Sequence, residues 1–472
     1  MKRFTFLLPA IVSVAAAVGS VDAARPRYGG TLRVQTQAAI RNVDPSAPAS
    51  GAMTRAGVQS LVFETLMRAD PDGGLRPALA TAWEHDARDL VWRLHVRAGV
   101  TLHGGAPLEA WHVASALRAA NPRWKVSTDG NVVIVEIDRP NPDLPWELID
   151  VRNAVVVRTP AGGLSGTGSF RLERLDAARI SLRAYDEYWG GRPFLDAVQI
   201  DIGVSTDDRL SNVEVGRSDI AAVGPTEVRR LAQRGVRILT SRPMATYAVV
   251  FEPPQAVAAA EPLRRTIAAA IDRQAMHTVL LQRHGQPATM LLPAWLSGYA
   301  AAAASSDRPM SRAAISALPP EQRTLTLRVD ADDALAHALA DRIAVDVREI
   351  GLTMKVQAPV GLAPRADARL VRFDFLATTP DRALAAAVGA LGERVVALAT
   401  NEAAPAAGAP ISAIYRLERA LLDRCIIVPV VHVPDMYAIA DRVGSSAGDP
   451  ILANGAWNIA NVWLRPEQSE RR

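Results

Sequence analysis

Two hydrophobic periods alternate along this chain, and that alternation limits its fold more than any single motif does. From Val91 to Val96, Trp92, Leu94 and Val96 face one way while Arg93, His95 and Arg97 face the other, as a half-buried strand requires. Thr31 to Gln35, Val132 to Ile137 and Arg179 to Arg183 read as further strands. Leu263 to Leu281 and Leu335 to Ile350 carry helical periodicity, and Gln59 to Arg68 reads as a short helix or extended entry. Asp70 to Gly74 is a turn, and the alanine-rich stretches Ala300 to Ala304 and Ala403 to Pro410 read as loops or linkers. Short strands interleaved with helices predict α/β domains, and 472 residues suffice for two or three of them.

The first residues read as an export signal. Lys2 and Arg3 precede an apolar run from Phe4 to Val18, and Val21-Asp22-Ala23 is an acceptable cleavage tripeptide, giving a mature start near Ala24. That run falls short of the ~20 apolar residues a membrane-spanning helix needs. A periplasmic location follows, with release outside the cell as the alternative. Cys425 is the single cysteine, so the fold must be held by core burial rather than by an internal disulfide. The net charge of +4 raises the question of nucleic acid. The arginines are interspersed with Asp and Glu throughout, without the basic face or tail such a partner needs, so no nucleic-acid partner is expected.

His95, His103 and His112 lie close together in sequence and raise the question of a metal site. The spacing predicts otherwise. His95 lies on the polar face of a strand between Arg93 and Arg97, and His103-Gly104-Gly105 is a turn. Pro107 suits the first turn of a helix whose apolar stripe is Ala110, Val113, Ala114 and Leu117, which puts His112 on the outer side. Strand, turn and helix provide no paired ligand spacing, so no metal or other cofactor is expected.

Two further stretches approach known chemistry and stop short. "GGLSGTGSFRL" (Gly162 to Leu172) has Ser169 where a phosphate loop needs lysine, Arg171 where a dinucleotide fingerprint needs glycine, and Thr167 where a nucleophile elbow needs glycine. It reads as a tight glycine turn before a strand. Cys425 opens "CIIVPVVHV", a β-branched run that reads as a buried strand, a poor setting for a reactive thiol. With no nucleophile–base pair or metal set visible, no catalytic residue is expected.

The motifs in order carry a resemblance. "YGGTLRV", "VDPS", "LVFETLMRADPDGGLRPALATAWE", "WRLHVRAGVTLHGGAPLEAWHVASAL", "GTGSFRLE", "YDEYWGGRPFLDAVQI", "GRSDIA", "LRRTIAAAIDR" and "GQPATMLLP" run from about residue 28 to 299. "YRLERALLDRCIIVPVVHVPDMYAIADRVG" and "NIANVWLRP" follow near the end. Together they resemble the family 5 extracellular solute-binding proteins, the peptide and nickel binding subunits of ABC importers. The resemblance implies a type II periplasmic binding protein-like fold, with two lobes around a hinged cleft and an extra inserted domain. The implied divisions are a signal peptide over 1–23, a first domain over 24–57, 158–243 and 441–472, an inserted second domain over 58–157, and an abbreviated third domain over 244–440.

The implied function is that of a monomeric periplasmic subunit that closes on a small solute, peptide-like by preference, and delivers it to ABC permease subunits. The alternative is a sensor, chaperone or partner-binding module on the same scaffold with a decayed ligand site. This chain departs from the family where the third domain meets ligand. "RFDFLATTPDRALAAAVGAL" lacks the usual tryptophan and shortens the acidic segment to Thr379-Pro380-Asp381, and Glu252 stands where asparagine is usual. The resemblance implies ligand contacts from Asn42 and Asp44, from Met244, Thr246 and Tyr247, and from Trp295, Phe373, Asp374 and Thr378. Arg152 is a further candidate for an anionic group on the ligand. The alternative for the aromatics is that they pack the core, and for Asp374 that it is structural.

Overall fold

The computed structural model describes residues 26–38, 40–47, 52–69, 74–159, 162–252, 261–299, 309–358, 366–376, 379–402 and 408–466. Residues 1–23, expected to be an export signal, Thr378, Ala300 to Ala304 and most of Ala403 to Pro410 lie outside the described residues. Among the described residues no helix is long and apolar enough to cross a membrane.

Two strands organise the molecule. Arg237–Phe251 and Ile427–Ile439 pair antiparallel along nearly their whole lengths, from Arg237 opposite Ile439 to Val250 opposite Ile427. On one side of this pair lie Ile220–Val223, Thr31–Gln35, Ala197–Asp201, Arg179–Ala184 and Phe170–Leu175; on the other lie Ala368–Asp374, Thr324–Arg328 and Thr353–Gln357. The result is one sheet of eleven strands serving two lobes, with Gln286–Pro287 paired beside Ile427–Ile439. The apolar core is correspondingly divided. Tyr437 and Ile439 pack into the first-lobe core with Leu32, Val34 and Ile200. Val428 and Val431 pack with Leu339 and Ile343 into the core of the other lobe, which is built from the expected third domain and is called the third lobe below.

Between the lobes the register shifts, from Thr240 to Pro243 and again to Ala245, with Pro243 opposite Pro434. Proline has no N–H for the ladder, so it belongs at such a break, and the irregularity bends the paired strands where they leave one lobe for the other.

The inserted domain is a four-stranded antiparallel sheet in the order Ala80–His85, Val91–Val96, Val132–Glu136 and Lys125–Asp129. Trp92, Leu94 and Val96 face its core, as their alternation predicts, against Ala110, Val113, Ala114 and Leu117 of helix Ala110–Ala120. His112 departs from expectation. It is buried, because its Nδ1 accepts the Glu109 N–H (3.1 Å) and caps the helix. His103 contacts the Gly168 carbonyl through Nε2 at 2.9 Å, and His95 stays half-exposed on its strand. The three rings serve three separate local roles.

Other expectations are corrected in detail. The helix expected over Leu263 to Leu281 ends at Ala270, because Asp272 accepts the Ala275 N–H and starts a new turn that continues as a wide helical turn, Met276–Leu280. Cys425 is half-buried in the turn before Ile427–Ile439, with a left-handed φ of 49°, and burial raises its thiol pKa. The glycines of "GTG" are needed for close approach rather than for a turn. A Cβ on Gly166 would lie 2.0 Å from the Val62 carbonyl oxygen, and one on Gly168 2.3 Å from that of Leu61. The end of helix Ala52–Val62 therefore packs flush against the "GTG" backbone.

Candidate functional site

In an open parallel sheet, ligands meet the protein at the carboxyl ends of the strands. Thr31–Gln35 runs parallel to Ala197–Asp201 and Ile220–Val223 in one lobe, and Thr324–Arg328 runs parallel to Thr353–Gln357 and Ala368–Asp374 in the other. Loops at these ends meet where the Gln37 amide donates to the Asp332 carbonyl at 2.7 Å, which makes this the cleft between lobes.

The third-lobe side of the cleft is a charged cluster. Tyr247 and Arg372 are cross-strand neighbours, and the Tyr247 hydroxyl donates to Asp333 Oδ2 at 2.7 Å, one residue from the Gln37 contact. Arg372 Nε donates to Asp374 Oδ1 at 2.8 Å, and its Nη2 lies 3.4 Å from Asp435 Oδ1. The Arg372 side chain keeps 35% of its surface open, so it lies at the cleft rather than inside a core. Burial works against its charge, but Asp374, Tyr247 and Asp435 hold its pKa well above the ordinary value. Burial raises the Asp435 carboxyl, and Asp374 beside it adds to that rise against the opposing pull of Arg372.

The residues expected at the site divide into three groups. Met244, Thr246, Tyr247 and Phe373 are buried. Thr246 donates to the Leu291 carbonyl (2.8 Å) and lies 2.6 Å from His432 Nδ1. A carbonyl only accepts, so the Thr246 hydroxyl donates there and His432 donates to Thr246. Burial depresses the His432 pKa to about 4, and the pair has no access to solute. The Tyr247 ring packs with Leu339 and Ile343, and Phe373 packs with Leu384 on the opposite face, so core packing is the role the geometry gives both rings.

Asn42 and Asp44 sit on the first-lobe loop, engaged locally. Asn42 Oδ1 accepts the Asp44 N–H (2.6 Å), and Asp44 accepts from Ser46 and from Arg158 Nη2 (2.6 Å). Burial acts to raise the Asp44 pKa, but the Ser46 and Arg158 hydrogen bonds hold it below the usual carboxylate range. Asn42 is exposed while Asp44 is buried.

Trp295, Asp374 and Arg152 keep open surface. Trp295 is half-buried, donates to the Pro243 carbonyl at 2.7 Å and has the Arg242 guanidinium 5.9 Å from its ring, beside the bend in the long strands. Arg152 lines an open pocket of ≈ 330 Å³ shared between the inserted domain, through Asn121, Arg123 and Trp124, and the third-lobe helix Pro380–Leu391, through Asp381 and Arg382. Arg372, Asp333 and Asp435 were missed in the sequence. Their one local signal is the Arg372–Asp374 spacing, which puts both side chains on one strand face. Among the described residues no group of three or more His, Cys, Asp or Glu side chains converges as metal ligands would.

Two lobes joined by long shared strands, with an inserted antiparallel domain and a charged cleft, define a hinged binding scaffold. The family model for bacterial extracellular solute-binding proteins, family 5 (middle), matches residues 74–381, and the chain belongs to that family. Among solved structures, the oligopeptide-binding protein AppA from Bacillus subtilis, in complex with a nonapeptide, superposes with a TM-score of 0.76 at 14% identity, covering 94% of this chain and 100% of that one. NikA from Staphylococcus aureus, in complex with Ni(L-His)2, gives 0.75 at 13%, covering 92% and 100%. At such identities the likeness is one of fold.

By sequence, the uncharacterized protein YhjP of Bacillus subtilis is 33% identical over 152 residues, 29% of this chain and 26% of that protein. The HTH-type transcriptional regulator SgrR of Yersinia pestis is 25% identical over 257 residues, 50% of this chain and 43% of the regulator. Protein XP55 of Streptomyces lividans is 26% identical over 264 residues, 50% and 48% respectively. The chain thus spans less than half the length of these relatives.

Proposed function

We propose that this protein is the solute-capturing subunit of an ABC importer, working in the periplasm after removal of residues 1–23 and handing its ligand to membrane permease subunits. The observation that carries this reading is the apposition of two sets of parallel-strand ends, bridged from Gln37 to Asp332, across a bend shared by the two long strands. The division into a discontinuous first domain, an inserted second domain over 58–157 and a third over 244–440 belongs to the same reading.

Of the residues expected to meet ligand, Asn42, Arg152, Trp295 and Asp374 retain the open surface a contact needs, and Arg372 joins them. A peptide-like solute remains the leading class. A guanidinium at Arg152 is suited to a carboxylate, and an indole at Trp295 to an apolar side chain. The test is native mass spectrometry of protein isolated from the periplasm. A stoichiometric small molecule that leaves on denaturation, and that is lost in an Arg152→Ala, Arg372→Ala double variant, supports the reading. Protein that carries no solute from solute-rich medium, and whose amino terminus is still Met1, opposes it.

A second reading has its own support. Half of the chain aligns with a transcriptional regulator, and the aromatics Tyr247 and Phe373 are committed to the core. A sensor or partner-binding module on this scaffold needs no permease. Deletion of the gene separates the two readings: loss of uptake of a solute favours import, and altered response with unchanged uptake favours sensing.

A further inference from the structure

The inserted domain and the third lobe touch through a contact that the solute-capture reading does not require. Glu147 closes the short helix Leu144–Glu147 of the inserted domain, and its side chain is 2% exposed. One carboxylate oxygen, Oε1, accepts from Asn141 Nδ2 at 2.8 Å. Asn153, itself buried, donates to the Glu147 carbonyl at 2.7 Å and accepts from Asn121 Nδ2 at 2.8 Å. Three buried asparagines therefore fix this segment and leave Oε2 directed outward. Oε2 takes a charge-assisted hydrogen bond from Arg382 Nη2 of the third lobe, 235 residues away in sequence.

Arg382 occupies a costly position. It lies in the first turn of helix Pro380–Leu391, where the helix dipole disfavours a cation, and its Nε is buried without a hydrogen-bond partner. Around the pair the surfaces fit closely. The Gly408 N–H donates to Asp381 Oδ2 (3.1 Å), and a Cβ at Gly408 would stand 3.0 Å from Asn141 Oδ1. One feature opposes the contact: burial and then Asp381 raise the pKa of Asp143 across the same gap. A buried carboxylate and a guanidinium badly placed in its own helix stabilise each other only while the two domains are together.

We propose that Glu147 and Arg382 form a latch that holds the inserted domain against the third lobe and biases the ligand-free protein toward the closed arrangement. Closure is then driven in part by the chain's own side chains, and solute adds to a balance already tilted. Arg382 also lines the pocket that Arg152 lines, so release of the latch opens that pocket. The proposal concerns ligand-free protein and stands or falls independently of which solute, if any, the cleft takes.

The test is small-angle scattering of the full mature protein, dialysed free of solute, with circular dichroism confirming the fold of each variant. Wild type should give a single compact radius of gyration. Arg382→Ala should increase it, Arg382→Lys should increase it less, and the reversed pair Glu147→Arg with Arg382→Glu should return it toward wild type. Should Arg382→Ala fail to fold, Arg382→Lys and Glu147→Gln supply the same comparison. An unchanged radius in these variants overturns the latch. An expansion that charge reversal leaves unrepaired overturns it too, since the effect then belongs to arginine packing rather than to the pair.

Discussion

Asp219 and Glu147 are both buried carboxylates answered by arginine, one inside a lobe and one between domains. Asp219 has no exposed side-chain surface; it accepts from Arg33 Nε (3.2 Å) and Nη2 (3.1 Å) and from Arg442 Nε (2.6 Å) and Nη2 (2.8 Å). Those arginines come from the first strand and from the end of the chain, so the carboxylate fastens the returning C-terminal segment to the strand that opened the lobe. Burial acts to raise its pKa, but the hydrogen bonds from Arg442 and Arg33 hold it below the usual range. Glu147 has one neutral donor within its own domain and depends on Arg382 for the rest. The same chemistry fixes a fold when its partners are permanent and sets a conformational balance when its partner can leave.

The largest effect is expected where the partners cannot leave. Asp219→Ala removes the buried acceptor that Arg33 and Arg442 share and should cost ~3–5 kcal/mol in urea unfolding. Tyr247→Ala should cost a similar amount, since removing a buried aromatic from a packed core costs ~3–5 kcal/mol. A Tyr247→Ala protein as stable as wild type would place the ring outside the core and return it to the ligand site. Tyr247→Phe removes the hydroxyl that donates to Asp333 and should cost ~1 kcal/mol.

Acid should separate the buried groups by pH. His432 is held neutral, its folded pKa lying near 4 against an unfolded value of ~6.5. The unfolded chain therefore takes up the proton first, and stability present above pH ~6.5 should decline as pH falls toward 4. Asp219, depressed, contributes stability that is complete above its unfolded pKa of ~3.9 and is lost only as pH falls through its folded value. Melting temperature against pH should show the first decline shrink in His432→Gln, with a remainder from His103 and His112, whose pKa values burial also lowers, and the second persist. A single decline below pH 4 in wild type would contradict the assignment to His432.

The smallest change in global stability is expected at the interdomain pair. Glu147→Gln keeps the Asn141 bond and should shift the urea midpoint little while altering the scattering profile. A loss as large as that of Asp219→Ala would make Glu147 a fold determinant and erase the contrast between the two carboxylates.

Local pattern was legible where one face of an element meets solvent. Strand Thr31–Gln35 and helix Ala334–Glu349 lie within a residue of their expected bounds, and Trp92, Leu94 and Val96 face inward as their alternation requires. The site was legible only in part. In a central strand covered on both faces, a near-continuous apolar run such as Tyr247 to Phe251 does not tell the cleft side from the core side. His112 shows the same limit on a helix, since a ring expected outside turns back to cap its own first turn. Glu147–Arg382 and Arg372–Asp435 are pairs of distant residues with no shared spacing, so nothing short of the fold brings them together.

Solute capture requires that the two lobes close on a ligand. Thermal unfolding of the mature protein against a library of peptides, metal chelates and sugars tests it most directly. A ligand present at a hundredfold excess over its dissociation constant should stabilise the protein by ~2.7 kcal/mol, read as a rise in melting temperature that grows with concentration. Arg152→Ala or Arg372→Ala should reduce that rise. No concentration-dependent rise with any member of the library would contradict solute capture and leave the scaffold to the sensing role.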